Sequence, residues 1–289
     1  MATKGVSGGD VWSRVLFYLG ILLFVIITVL PLLWVFKMSI ITKGELQASP
    51  PTILPHDPTT ESYAAIFADA GFLRSLLNSA VIAGTTTIVC LVLGSVAAYA
   101  IARLRFRFKG PFMTLILAIA FFPPVAIIGP LFSQFSEIGL VNTYAAMIIT
   151  DTVFALPLTV WLLVAFFREL PFDLEEAAKV DGATTLQAFW KVIVPLSAPG
   201  VFTTAILTFI FAWNEFLFAN TFAFDETTQP VTVSIPSFAG VFTVNYGAQA
   251  AAAVVVTVPL VILVLIFQRR IVSGLTAGAV KGSTTPLRG

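Results

Sequence analysis

Six apolar stretches, at approximately 15–36, 77–102, 112–135, 143–167, 201–223 and 250–268, dominate the chain. Each is close to the roughly 20 residues that a helix needs to cross a bilayer. Backbone polar groups in hydrocarbon must bond within their own segment, so stretches like these span as helices. The expected fold class is therefore an all-α integral membrane protein with six transmembrane helices. Composition agrees: 58% of residues are hydrophobic, 11% are charged and mean hydropathy is +0.96. A soluble domain would carry about a quarter charged residues. Net charge is only +1, which gives no reason to expect a nucleic-acid partner. The one cysteine, Cys90, lies inside an apolar run, so a disulfide within the chain is excluded.

Lys4 and Arg14 precede the first stretch, as in a secretory signal. Its apolar part, Val15 to Phe36, is longer than a signal-peptide core of about 7–15 residues, and we read it as an uncleaved helix. Orientation follows from the Lys and Arg content of the short loops. Arg103, Arg105, Arg107 and Lys109 follow the second stretch, and Arg269, Arg270, Lys281 and Arg288 follow the sixth. The 136–142 and 224–249 loops hold Glu137, Asp225 and Glu226 but no Lys or Arg. Both termini are expected in the cytoplasm, with the 168–200 segment on the same side. On the outer side, Ser62 to Phe67 reads as a short surface helix. Phe238, Gly240, Phe242 and Tyr246 belong to an irregular outer loop whose aromatics suit either contact with another protein or an interfacial belt.

Between Pro171 and Gly200 the chain becomes polar, with Asp173, Glu175, Glu176, Lys179, Asp181 and Lys191. Leu174 to Ala183 has helical spacing, with Asp173 placed as N-cap and the two glutamates in the first turn, where the helix dipole favours anions. Gly182 supplies the left-handed residue that ends such a helix. A second short helix, Thr185 to Val192, is expected to stop at Pro195. The result is a rigid two-helix knob. An amphipathic linker lying on lipid is the plainer reading, but an acidic face is poorly suited to anionic headgroups.

Glu176-Ala177-Ala178, three residues, Gly182, nine residues and then Val192-Ile193-Val194-Pro195 resemble the EAA motif of permease subunits of bacterial ATP-binding-cassette importers. The family prefers Ile and Leu where Val192 and Val194 stand. Ala212-Trp213-Asn214-Glu215-Phe216 and the ending from Gln268 to Gly282 are similar to the sugar-importer branch, that is, the maltose-type small permease and the second permease of mycobacterial-type trehalose importers. The resemblance covers essentially the whole chain and implies one transmembrane domain over 1–289, of the type I importer permease fold. It also implies import of a sugar, a disaccharide such as trehalose or maltose. The implied partners are a second homologous permease, two ATP-binding subunits and an extracytoplasmic solute-binding protein. Glu176, Ala177, Ala178, Gly182 and Asp181 would contact the ATPase, and Phe238, Gly240, Phe242 and Tyr246 the binding protein. No Gly-x-x-x-x-Gly-Lys-Ser/Thr loop is present, so ATP and magnesium would be bound by the partners and this chain would be a transport subunit, not an enzyme.

Ionisable residues at membrane depth are costly and mark candidate sites. Asp151 and Glu215 qualify, with Asn214 and Trp213 beside the latter. Glu215, Asn214 and Trp213 could line a translocation path; alternatively, Asn214 and Glu215 pair with the partner permease or serve a backbone kink that closes a gate. For Asp151, a backbone cap near Pro157 or a place near the interface is preferred over ligand contact. Phe121-Phe122-Pro123-Pro124 should break the third stretch, and Gly129-Pro130 repeats the signal, marking a cavity wall. Ala83-Gly84, Gly94-Ser95 and Ala97-Ala98 offer small packing faces. The lone His56 has no companions for a metal. Three other readings stay open: the same machine carrying another carbohydrate, a polyol or glycerol phosphate; an ion-driven secondary transporter, which predicts inverted repeats; and an assembly scaffold.

Overall fold

A computed structural model describes residues 8–238 and 245–280. Every regular element among these residues is a helix. In order, α1 is Gly8–Ser39, α2 Lys43–Leu46, α3 Glu61–Ala68, α4 Ala70–Arg103, α5 Lys109–Ala120, α6 Pro124–Glu137 and α7 Tyr144–Glu169. There follow α8 Asp173–Val180, α9 Thr185–Ala188, a π-helical turn Phe189–Ile193, α10 Val194–Leu196, α11 Ala198–Trp213, α12 Leu217–Phe222, α13 Val231–Ser234 and α14 Tyr246–Val280. Among the described residues four helices are long and apolar enough to cross a membrane, or up to six if Lys109–Ala120 with Pro124–Glu137 and Thr185–Leu196 with Ala198–Trp213 each count as one bent span.

The chain forms two compact units. One comprises residues up to Asp69 together with Ser237–Val255. Its α1 is apolar on all sides and exposes those sides, the pattern of a helix meant for lipid or a partner. Pro31 sits within it without ending it. The expected surface helix is present as α3, and Tyr63 and Ser39 share a hydrogen bond of 2.8 Å. In the loop before it, Glu45 accepts from Thr52 Oγ1 at 2.6 Å and from the His56 backbone N–H at 3.2 Å.

The other unit holds Ala70–Pro236 and residues from Val256 onward. Its centre is the packing of α4, α7 and α11, made possible by absent side chains. A Cβ on Gly94 would lie 2.9 Å from Thr159 Cγ2, and one on Gly200 2.2 Å from the Phe166 ring. Ala83 and Ala98 are fully buried as small-face residues should be, whereas Gly84 faces open space. Thr159 and Thr208 share a hydrogen bond of 2.9 Å between α7 and α11.

Two expectations about breaks need revision. Phe121-Phe122-Pro123 does end α5, and α6 leaves at 86° with Pro124 at its start. Gly129-Pro130 does not break the chain again, because α6 runs on through both to Glu137. Conversely, the fifth stretch is not one helix. It divides at Asn214–Phe216 into α11 and α12.

Candidate functional site

The charged segment folds as a knob, with differences at both ends. Asp173 is the first helical residue of α8 instead of its N-cap; Phe172 holds the cap position and offers no side-chain bond. The three acids still fall in the first turn, where the dipole favours them. The far end is a Schellman closure. Gly182 has φ +87°, its N–H reaches the Lys179 carbonyl at 3.0 Å, and the Ala183 N–H reaches that of Ala178 at 2.9 Å. The next helix opens with a reciprocal box, in which Thr184 N–H donates to Gln187 Oε1 at 2.8 Å and Gln187 N–H to Thr184 Oγ1 at 3.3 Å.

Pro195 does not stop this second helix, contrary to expectation. The π-turn at Phe189–Ile193 widens the backbone just upstream, so the helical path continues to Leu196 despite the missing donor. The chain then bends by 78° into α11.

The knob is bolted to the long helices. Phe189 and Ile193 are buried among Ala98, Tyr99, Ile101 and Ala102 of α4 and Val160, Leu163, Val164 and Phe167 of α7. The Phe189 ring lies 4.7 Å from that of Tyr99 and 6.2 Å from that of Phe167. Beneath α8, Glu175 is 4% exposed; its Oε1 accepts from Tyr99 Oη and from Lys179 Nζ, both at 2.8 Å. Arg103 is not a loop cation, being folded inward: its Nη2 donates to the Leu170 carbonyl at 2.7 Å and its guanidinium lies 4.4 Å from the Phe172 ring centre. Burial works against Glu175 ionising, but hydrogen bonds from Lys179 and Tyr99 and the Lys179 and Arg103 charges outweigh it and hold the carboxyl below the usual range.

Glu176, Ala177, Asp181 and Gly182 face outward on this knob, Ala178 is half-buried, and Leu174, Val180, Leu186 and Trp190 add exposed apolar surface. Sequence reasoning missed the roles of Glu175, Tyr99 and Arg103. The signal available was the four-residue spacing of Glu175 and Lys179, which allows a helical ion pair.

A second candidate lies where α11 gives way to α12. Glu215 turns its carboxylate onto the exposed start of α12, accepting from Phe218 N–H at 2.8 Å and Ala219 N–H at 2.9 Å. Glu215 thus serves the backbone where the fifth stretch divides. Asn214 donates to the Ile210 carbonyl at 2.7 Å. Both border a cavity of about 650 Å³, whose walls include Ala120, Pro124, Asp151, Phe154, Phe211, Phe216 and Phe218. Pro123 ends the extended turn just before this wall. Trp213 does not line the cavity; it is buried and stacks on Phe209 at 5.4 Å. Asp151 is 2% exposed and its Oδ1 has no hydrogen-bond partner, so it is no cap for the backbone near Pro157.

Of the outer-loop residues, Phe238 closes a 3₁₀ turn, Ile235–Phe238, and Tyr246 stands half-exposed on the first turn of α14. Gly240 and Phe242 lie outside the described residues.

Residues 90–277, which carry the knob, the divided helix and most of α14, match the family model of binding-protein-dependent transport system inner membrane components. The chain belongs to this family. It is thus a multi-pass inner-membrane protein and a permease subunit of the ABC type. It is 46% identical over 255 residues to the trehalose transport system permease protein SugB of Mycobacterium tuberculosis, covering 88% of this chain and 92% of that one. It is 39% identical over 276 residues to the trehalose/maltose transport system permease protein MalG of Thermococcus litoralis, covering 94% and 99%. A bacterial ABC transporter that imports the acidic polysaccharide alginate has a chain of the same fold, with TM-score 0.79, 22% identity and coverage of 92% and 99%.

Proposed function

We propose that this chain is one of two homologous permeases in an ATP-driven, binding-protein-dependent importer of a neutral sugar, with a disaccharide such as trehalose or maltose as cargo. Two ATP-binding subunits hydrolyse ATP, and an extracytoplasmic binding protein delivers the sugar. The chain acts as a single transmembrane domain over 1–289. Six spans, with α5–α6 as one and α11–α12 as another, leave both termini in the cytoplasm beside the knob. The observation that carries the reading is the knob itself. One side is packed into α4 and α7, and the opposite side presents Glu176, Ala177, Asp181 and Gly182 with apolar neighbours to a partner.

In this reading the ATPases hold the outward side of α8. Ala177 and Ala178 allow close approach, and Glu176 meets a cation of the ATPase. Closure of the two ATPases moves the knob, which Phe189 and Ile193 keep seated on α4 and α7, and that movement alternates access to the pathway. Asn214 and Glu215 border that pathway at the 650 Å³ cavity, with Pro123 and Pro124 shaping its wall. Trp213 supports the gate from behind. Phe238, Gly240, Phe242 and Tyr246 meet the binding protein.

The cavity walls carry Asp151 and Glu215 and no Lys, Arg or His. An anionic cargo such as glycerol phosphate would meet carboxylates there instead of cations, which favours an uncharged sugar. The test is ATP hydrolysis by the complete reconstituted complex against a panel of sugars presented with the cognate binding protein. Stimulation by trehalose or maltose, but not by sugar phosphates, is expected; stimulation by an anion alone would overturn the cargo assignment.

A further inference from the structure

Helix α8 is built inside out. Its apolar Leu174 and Val180 are exposed, and the one residue it buries is an acid, Glu175. Eight residues are too few for a helix to stand alone in water. Besides Lys179 on its own helix, Glu175 reaches from the inward side of α8 to the end of α4. Tyr99 Oη donates to it at 2.8 Å. One turn further along α4, Arg103 holds the strand entering α8, through the Leu170 carbonyl at 2.7 Å and the Phe172 ring at 4.4 Å. Glu175 Oε2 and Arg103 Nε and Nη1 are buried without hydrogen-bond partners. Stability alone does not favour such an arrangement. A buried charge cluster is often replaced by apolar residues at no loss, and a partly satisfied one is costlier still. A directional bond has a property that an apolar contact lacks: it resists sliding of α8 along α4.

We infer that Glu175, with Tyr99 and Arg103, is the positioning cluster through which movement of α8 is transmitted to α4. The inference rests on the coupling role proposed for the knob and assigns the transmission to the side of α8 that faces away from the ATPase. The Phe189 and Ile193 contacts fix where the knob sits, whereas the Tyr99–Glu175 bond fixes the register of α8 against α4.

The experiment uses the complete importer in proteoliposomes, reading sugar imported per ATP hydrolysed, with co-purification of the ATPases as a check on assembly. Tyr99→Phe removes one hydroxyl and leaves the packed ring in place; import per ATP is expected to fall by about tenfold, the scale of losing a hydrogen bond to a charged group. Glu175→Gln keeps an acceptor for Tyr99 and should retain more coupling than Glu175→Leu. Glu175→Leu takes the acceptor from Tyr99 and the counter-charge from buried Arg103 and should melt lower. Tyr99→Phe leaves Glu175 bonded to Lys179 and should melt close to the unaltered protein yet be as uncoupled as Glu175→Leu, a split that a merely structural residue would not produce. Combining Tyr99→Phe with Glu175→Leu should add nothing further. Wild-type import per ATP in both Tyr99→Phe and Glu175→Leu would overturn the inference, as would loss of the ATPases from either complex. Tryptophan at Gly182 separates the two levels: if Gly182→Trp blocks import while the Tyr99 and Glu175 variants do not, the coupling knob stands and only the positioning cluster is wrong.

Discussion

At the scale of single residues, the acids of this chain do three different jobs. Glu215 caps a helix. Its loss to Ala leaves the Phe218 and Ala219 N–H groups unpaired, at a cost of about 1 kcal/mol typical of a lost cap. Thermal melting in detergent should rank the unaltered protein above Glu215→Gln and Glu215→Ala lowest; equal melting would show that the carboxylate serves the cavity and not the helix. Asp225 secures a loop. Its carboxylate accepts from Thr227 and Asn142, and those bonds hold it below the usual aspartate range. A folded-state value depressed in this way contributes stability that is fully present above the ordinary aspartate value and is lost as pH falls through the depressed one. Protection of the Thr227 amide, its exchange rate relative to the intrinsic rate at each pH, should therefore be unchanged at pH 5 and fall only below the ordinary aspartate range. Loss of protection on the neutral side of that range would contradict the assignment. Glu175 anchors, as argued above. Of the three, only Glu215 stands out in the sequence as an acid at membrane depth; the roles of Asp225 and Glu175 show only in partners such as Asn142 and Tyr99, distant in sequence.

At the scale of elements, the sequence was most legible where local chemistry decides. Pro123 ends α5, Gly182 ends α8, and Ala83, Gly94 and Ala98 of α4, unlike Gly84, face its neighbours, because steric rules at those positions leave few choices. It was least legible where a tertiary contact overrides the local rule. Pro195 fails to end its helix because a π-turn has already displaced the backbone, and the fifth stretch divides because a carboxylate three residues away recaps it. Glu175 was unreadable for the same reason, since Tyr99 lies 76 residues upstream. The close approaches between helices give a direct test. Gly94→Ala places a methyl against Thr159 Cγ2, and overpacking of this kind costs roughly 1–3 kcal/mol. Thr159→Ser removes that carbon but keeps a hydroxyl for Thr208, so it should restore the melting temperature of Gly94→Ala. Failure of the rescue would mean that α4 and α7 do not pack through this pair.

At the scale of the whole molecule, side-chain chemistry and topology must agree, because a knob that moves with ATPases has to stand in the cytoplasm. The charge asymmetry of the loops predicts this placement, and exposure makes it measurable. Cys90 is fully buried and so gives little background to a thiol reagent. Val180 on the knob is 87% exposed and Phe224 in the opposite, cation-poor loop is 60% exposed. A membrane-impermeant maleimide added to intact cells lacking an outer barrier should label Phe224→Cys and spare Val180→Cys; inside-out vesicles should reverse the pattern. Labelling of Val180→Cys from outside would place the knob beyond reach of ATP, and the coupling role and the Glu175 cluster would fall with it. Labelling of both positions from one side would mean that α11–α12, the one proposed crossing between them, does not cross.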